Sequence, residues 1–184
     1  MTRSIRWCVV LLVLAALAWS SPARAESDFT FRAAVLGGLG GPADSDHDKD
    51  FDHEAFQIEV GMVTNASTLA TVRFGTLDLD DGEPYEGLDH AELKYANIAG
   101  EYRFDQGYYD FGIYLGLGAY KLDGDPLPGA ADGQTAVGIA FGINGDFDIN
   151  RHFAITAGAS AHYAFFDKRS NLYANALAGV AFRF

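Results

Sequence analysis

Residues 109–120 read Tyr-Asp-Phe-Gly-Ile-Tyr-Leu-Gly-Leu-Gly-Ala-Tyr. One parity carries Tyr109, Phe111, Ile113, Leu115, Leu117 and Ala119; the other carries Asp110, Gly112, Tyr114, Gly116, Gly118 and Tyr120. A helix turns about 100° per residue and would mix these two sets, whereas a strand puts residues i and i+2 on one face. The stretch is therefore a strand with two unlike faces. Toward the C-terminus the pattern recurs three times. Val137, Ile139, Phe141 and Ile143 alternate with Gly138, Ala140, Gly142 and Asn144. Phe153, Ile155, Ala157, Ala159, Ala161 and Tyr163 alternate with Thr156, Gly158, Ser160 and His162. Leu172 to Phe184 repeats it, with Tyr173, Asn175, Gly179 and Arg183 on the second parity. Toward the N-terminus, weaker alternation spans about 29–40, 55–64, 69–77 and 93–104. The reading is eight strands and no sustained 3.6-residue period after residue 28.

The connections differ in length. Short ones are expected at 65–68, 105–107 and 150–151, longer ones at 41–54, 78–92 and 122–134, and a briefer one at 166–170. Short turns at one end and long polar loops at the other describe an up-and-down meander whose ends face different surroundings.

A soluble ligand barrel also alternates, but its outer face meets water and favours Lys, Glu and Thr. Here the non-apolar parity is mostly Gly, Ala, Ser and Asn, which suits the crowded interior of a narrow barrel. Charges on that parity come in both signs: Arg32, Glu59, Arg73, Glu101, Arg103, Asp110, Asp146 and Arg183. Such groups can pair inside a barrel and are costly against hydrocarbon. Glu59 and Arg73 flank the 65–68 turn nearly symmetrically and are expected to face each other across a strand pair. Aromatic residues cluster toward the strand ends: Tyr102, Phe104, Tyr109, Phe147, Phe153, Phe182 and Phe184 near the short turns, and Tyr163, Phe165 and Phe166 near the other end. Aromatic girdles at two borders are expected of a membrane barrel. The fold expected is all-β: an eight-stranded antiparallel up-and-down transmembrane β-barrel.

With 184 residues the chain is long enough for one domain. A net charge of −12 argues against a nucleic-acid partner, which needs a basic footprint. A hydrophobic share of 49% argues against an acidic disordered chain. The single cysteine, Cys8, excludes a disulfide framework. Cys8 lies in an apolar run from Trp7 to Trp19, preceded by Arg3 and Arg6 and followed by Ala23-Arg24-Ala25. That is the composition of a cleaved secretory signal over residues 1–25, leaving a barrel over 26–184. The run has 13 residues, short of the roughly 20 a spanning helix needs.

Two stretches carry a family resemblance: the end Ala178-Gly-Val-Ala-Phe-Arg-Phe184 and the preceding Gly142–Phe165, GINGDFDINRHFAITAGASAHYAF. The chain resembles the small outer-membrane β-barrel proteins of the OmpA/OmpX-like kind. The resemblance implies a Gram-negative outer membrane, long loops outside the cell and termini in the periplasm. It also implies that the alternating final strand with Phe182 and Phe184 serves as the signal read by the outer-membrane assembly machinery. It says little about function, because the fold hosts structural proteins, porin-like pores, adhesins and enzymes.

Three sets of residues are candidates for chemistry. Asp44, Asp46, Asp48, Asp50 and Asp52 form an oxygen-rich run in the first long loop, and Asp78, Asp80, Asp81, Glu83, Glu86, Asp89 and Glu92 fill the second. Such clusters suit Ca²⁺ or Mg²⁺ bridging to lipopolysaccharide phosphates. As an EF-hand the first run fails, since Lys49 stands where the turn glycine belongs and Ala55 where the closing Glu belongs. No specific metal site is expected from His47, His53 and His90, which stand among these acids. Ser160, His162 and Asp146 invite a Ser-His-acid reading. The resemblance to lipid A deacylase barrels fails in order and in face, so an interior polar network with Asn144, Thr156, Tyr173 and Asn175 is the expectation. The interior charges Glu59, Arg73, Glu101, Arg103, Asp146 and Arg183 are expected in structural or gating roles. Nine inward glycines leave two possibilities, a filled lumen or a narrow water-filled passage, and a filled lumen is the reading taken. The function expected is non-enzymatic: an envelope protein with a structural or surface-interaction role through acidic external loops. The alternatives are a narrow low-conductance pore and, third, a lipid A-modifying barrel enzyme.

Overall fold

The computed structural model describes residues 30–43, 51–65, 67–79, 84–85, 87–105, 109–129, 133–167 and 172–184. The segment read as a secretory signal lies outside these. Eight strands form one closed barrel in chain order: β1 Phe31–Pro42, β2 His53–Asn65, β3 Thr68–Asp78, β4 Leu88–Asp105, β5 Tyr109–Pro126, β6 Gln134–Asp148, β7 Phe153–Ala164 and β8 Leu172–Arg183. Every neighbouring pair is antiparallel, and β1 pairs with β8 to close the sheet. Closure leaves no edge strand to expose unpaired backbone groups, which is what a sheet in hydrocarbon requires.

Alternation along each strand is realised as inside and outside. β3 and β5 switch between buried and exposed at nearly every residue. The outer face is apolar at mid-height, with Ile98 69%, Leu117 70% and Val137 70% exposed. A water-soluble domain does not leave a ring of such side chains uncovered.

The short connections are built locally. In the β6–β7 turn the Asn150 side-chain carbonyl accepts from the backbone N–H of His152 at 2.8 Å and of Phe153 at 3.0 Å. That is the loop chemistry for which Asn is suited. In the β2–β3 turn the Thr64 hydroxyl donates to the Thr68 carbonyl at 3.0 Å, next to a register shift between Val63 and Asn65. At the chain end the Phe184 carbonyl accepts from the N–H groups of Thr30 and Phe31, which fastens the β1–β8 seam. The short turns and both strand termini therefore share one end of the barrel.

At the opposite end the structure departs from the expected loops. β4 already begins at Leu88 and β5 continues to Pro126, so much of 78–92 and 122–134 is strand. The register pairs Leu88 with Pro126 and Lys94 with Lys121. A register shift between Asp89 and Glu92 breaks the alternation of β4 once; on either side of it the two faces persist but their polarity is inverted. Inward positions are apolar (Leu79, Ala91, Leu93, Leu122), and outward ones are polar (Glu92, Lys94, Lys121, Asp123). These strands have left the apolar belt and pack as a water-soluble sheet does. A second difference concerns Phe166, expected in the outer girdle. It is 5% exposed and packs into the leucine cluster at this end. Tyr163 and Phe165 do face outward.

Candidate functional site in the barrel interior

The half of the lumen nearer the short turns is filled by charge. Arg32 on β1 chelates Asp146 on β6 through Nε and Nη2 at 2.9 and 2.8 Å, and meets Glu59 on β2 at 2.5 Å. Arg73 on β3 bonds Glu59 at 3.0 Å and Glu101 on β4 at 2.7 Å. Arg103 joins Glu101 at 2.8 Å, Asp110 on β5 at 3.2 Å and Asp146 at 3.0 Å. Arg183 on β8 closes the set with Asp146 at 2.9 Å, Asp110 at 3.3 Å and Asp148 at 2.6 Å. On β7 the Thr156 hydroxyl accepts from Arg32 Nη2 at 3.0 Å. Every strand thus supplies a member. Arg32, Arg73, Arg183, Glu101 and Asp146 are each 1% exposed. Forked, hydrogen-bonded guanidinium–carboxylate pairs are the geometry that tolerates such burial.

The six interior charges expected from parity, Glu59, Arg73, Glu101, Arg103, Asp146 and Arg183, are all in this cluster, and Glu59 is the direct cross-strand partner of Arg73. Sequence reasoning missed Asp148. The parity of β6 would have included it had the strand been carried to its last residue. Arg32 was on the inward parity and becomes a central member.

Above the charges lies a layer of neutral polar side chains and tyrosines. The Arg73 guanidinium sits 3.3 Å from the Tyr114 ring centroid, a cation–π contact. The Tyr95 hydroxyl donates to Gln57 at 2.9 Å. Ser160 Oγ and His162 Nε2 are 2.9 Å apart, Ser160 also donates to Asn175 Oδ1, and His162 Nδ1 meets the Tyr120 hydroxyl at 3.1 Å. The inward glycines receive these rings. A Cβ at Gly75 would run into the Tyr95 ring, at Gly138 into Tyr120, and at Gly142 into Tyr114. At these three positions the space left by the missing side chain is ring-filled, and at Gly112 it is taken by Asn144 and Glu101. A cavity beside Gln57, Glu59, Arg73, Tyr114, Asn144 and Ser160 measures about 20 Å³, room for a single water molecule. Above it Leu77, Leu79, Leu88, Leu93, Leu122 and Phe166 close the far end.

The Ser160–His162 contact forms, but Asp146 does not join it, being held by Arg32, Arg103 and Arg183. The partner beyond Ser160 is Asn175, and Ser160 is 8% exposed inside the barrel. The group behind His162 is the Tyr120 hydroxyl and not a carboxylate, and the pair lies inside the lumen, whereas nucleophilic catalysis also needs a path for substrate to the nucleophile. Phe182 and Phe184 stand exposed on the outer face and stack on each other at 5.5 Å. Of the acidic run, Asp44, Asp46, Asp48 and Asp50 lie outside the described residues. Asp52 is described and exposed.

No protein-family model matches the sequence, and no curated protein matches it. Solved structures do match by shape. The outer membrane protein OprG from Pseudomonas aeruginosa aligns with a TM-score of 0.60 at 11% identity, covering 87% of this chain and 99% of that one. Neisserial surface protein A aligns at 0.58 and 16% identity, covering 85% and 97%. The N-terminal β-barrel domain of Pseudomonas aeruginosa OprF aligns at 0.57 and 12% identity, covering 83% and 97%. The fold is that of the small outer-membrane barrels. At these identities the likeness carries architecture, and the site must be read from this chain's own residues.

Proposed function

We propose that this chain is a non-enzymatic barrel of a Gram-negative outer membrane that spans without conducting and presents its polar end outside the cell, in a structural or surface-interaction role. The observation that carries this reading is the double closure of the lumen, by the arginine–carboxylate cluster below and the leucine–phenylalanine cluster above. With the interior filled, the surfaces left for function are the apolar belt and the external loops. The belt supports the membrane assignment, and the polarity inversion on β4 and β5 supports the upper end being outside the bilayer. On this reading the outward Phe182 and Phe184 serve the assembly machinery, and the acidic loops hold Ca²⁺ or Mg²⁺ against lipopolysaccharide phosphates.

Single-channel recording of the folded barrel in a planar bilayer tests the central claim. A silent membrane with folding verified by circular dichroism is expected, and discrete reproducible steps would replace this reading with the narrow pore. Mass spectrometry of lipid A from cells with and without the protein is expected to give one profile, and a lost acyl chain would reinstate the enzyme. Calorimetry without millimolar or tighter Ca²⁺ binding would remove the cation bridge.

A further inference from the structure

On the outer face, near the short turns, β5, β6 and β7, with Phe104 of β4 at the edge, line an open, shallow groove of about 650 Å³. Gly145 and Ala157 are direct cross-strand partners and form its floor. Phe111, the partner of Gly145 on β5, walls one side; Tyr109, Phe147 and Ile155 form the neighbouring row. All four wall residues are among the exposed large hydrophobics. The floor is not imposed by crowding. A Cβ at Gly145 would meet nothing nearer than the Asp110 carbonyl at 3.6 Å, an ordinary contact, so a side chain fits there. At the inward glycines, by contrast, a Cβ would press on rings, other side chains or backbone within about 3 Å. A glycine that sterics does not require, flanked by Phe111 and Phe147, opens a depression between large side chains at this point of the belt.

We propose that this groove binds one acyl chain of a phospholipid from the periplasmic leaflet. The proposal rests on the membrane reading above. The occupant follows from continuity: the groove is a dip in the apolar belt, so whatever covers the belt enters it, and hydrocarbon is what an aromatic-walled apolar groove takes from a bilayer. Its depth follows from its position. Tyr109 is the first residue of β5 and Phe147 the penultimate residue of β6, both beside the short turns at the end that carries the termini.

The test uses native mass spectrometry of the full protein extracted from membranes in mild detergent, comparing wild type, Gly145→Leu and Gly100→Leu. Gly100 is the matched control, an outward glycine on β4 with nothing within 4 Å of an added Cβ and outside the groove. Wild type and Gly100→Leu are expected to retain one phospholipid, and Gly145→Leu is expected to retain about tenfold less, a loss of roughly 1.4 kcal/mol of binding. Equal retention in all three, or none in any, overturns the proposal. A dimer that Gly145→Leu dissolves would give the groove to a second copy and overturns it as well. Flotation of the same preparations with lipid vesicles separates the two readings, since failure to float would defeat the membrane assignment itself.

Discussion

Asp146 accepts from Arg32, Arg103 and Arg183 while 1% exposed, so its charge is what keeps three guanidinium groups together. Removing one member of a buried ion cluster strands the others, at a cost of about 3–5 kcal/mol. Asp146→Ala and Arg73→Ala are each expected to lower the unfolding free energy by that order, read as a lower urea midpoint in detergent, and an unchanged midpoint would refute the structural role of the cluster. Asn97 is the opposite case. It is 2% exposed, and among the described residues neither atom of its amide has a hydrogen-bond partner. A buried polar group left unmatched costs roughly 1–3 kcal/mol. Asn97→Leu, close in size, is therefore expected to raise the unfolding free energy by that order, read as a higher urea midpoint. Membership of the interior was legible from parity for Glu59, Arg73, Glu101, Arg103 and Arg183, because a period-two strand admits two faces and only one tolerates charge. Of the pairings only Glu59–Arg73, neighbours across one turn, was legible; the others were not, since Asp146 and Arg32, for example, are 114 residues apart and meet through the closed lumen.

At the scale of strands, the ring–glycine pairs fix how neighbours nest. Gly75 is the cross-strand partner of Tyr95, and Gly142 of Tyr114. Gly75→Ala presses on the Tyr95 ring and is expected to destabilise by about 1–3 kcal/mol. The penalty should shrink in a Tyr95→Ala background, and a double-mutant cycle in urea measures that coupling. Additive effects would mean that the ring and the glycine do not share space. The outer ends of β4 and β5 obey different rules. Asp123 bridges the paired Lys121 and Lys94 at 2.9 and 3.1 Å. Hydrogen bonds from these two lysines hold its carboxyl below the usual carboxylate range. A depressed folded value contributes stability above the unfolded pKa, and the contribution disappears as pH falls through the folded value. NMR titration of the Asp123 carboxyl should give a midpoint below that of an unstructured peptide, and a midpoint at the peptide value would discount the bridge. These ends are hidden in the sequence because apolar residues mark the outward parity only where a strand faces lipid. Once the strand leaves lipid, Glu92, Lys94, Lys121 and Asp123 take that face, and the same alternation reads as a polar loop.

For the whole molecule, closure of the lumen is redundant. The charge cluster and the leucine–phenylalanine cluster lie in series, so Asp146→Ala is expected to leave a planar bilayer silent even as it weakens the barrel; channel steps in that variant would locate the entire seal in the charges. The sequence by itself determined the strand number, the up-and-down order and the assignment of lipid and lumen faces. Those depend on local periodicity and on the cost of placing a charge against hydrocarbon, both of which are written in consecutive residues. Closure of the lumen, the inward turn of Phe166 and the groove at Gly145 were decided only by the tertiary structure. Each depends on which side chains from non-adjacent strands reach the same space when β8 returns to β1. A glycine has the same letter whether a tyrosine fills its place or a lipid chain can enter it.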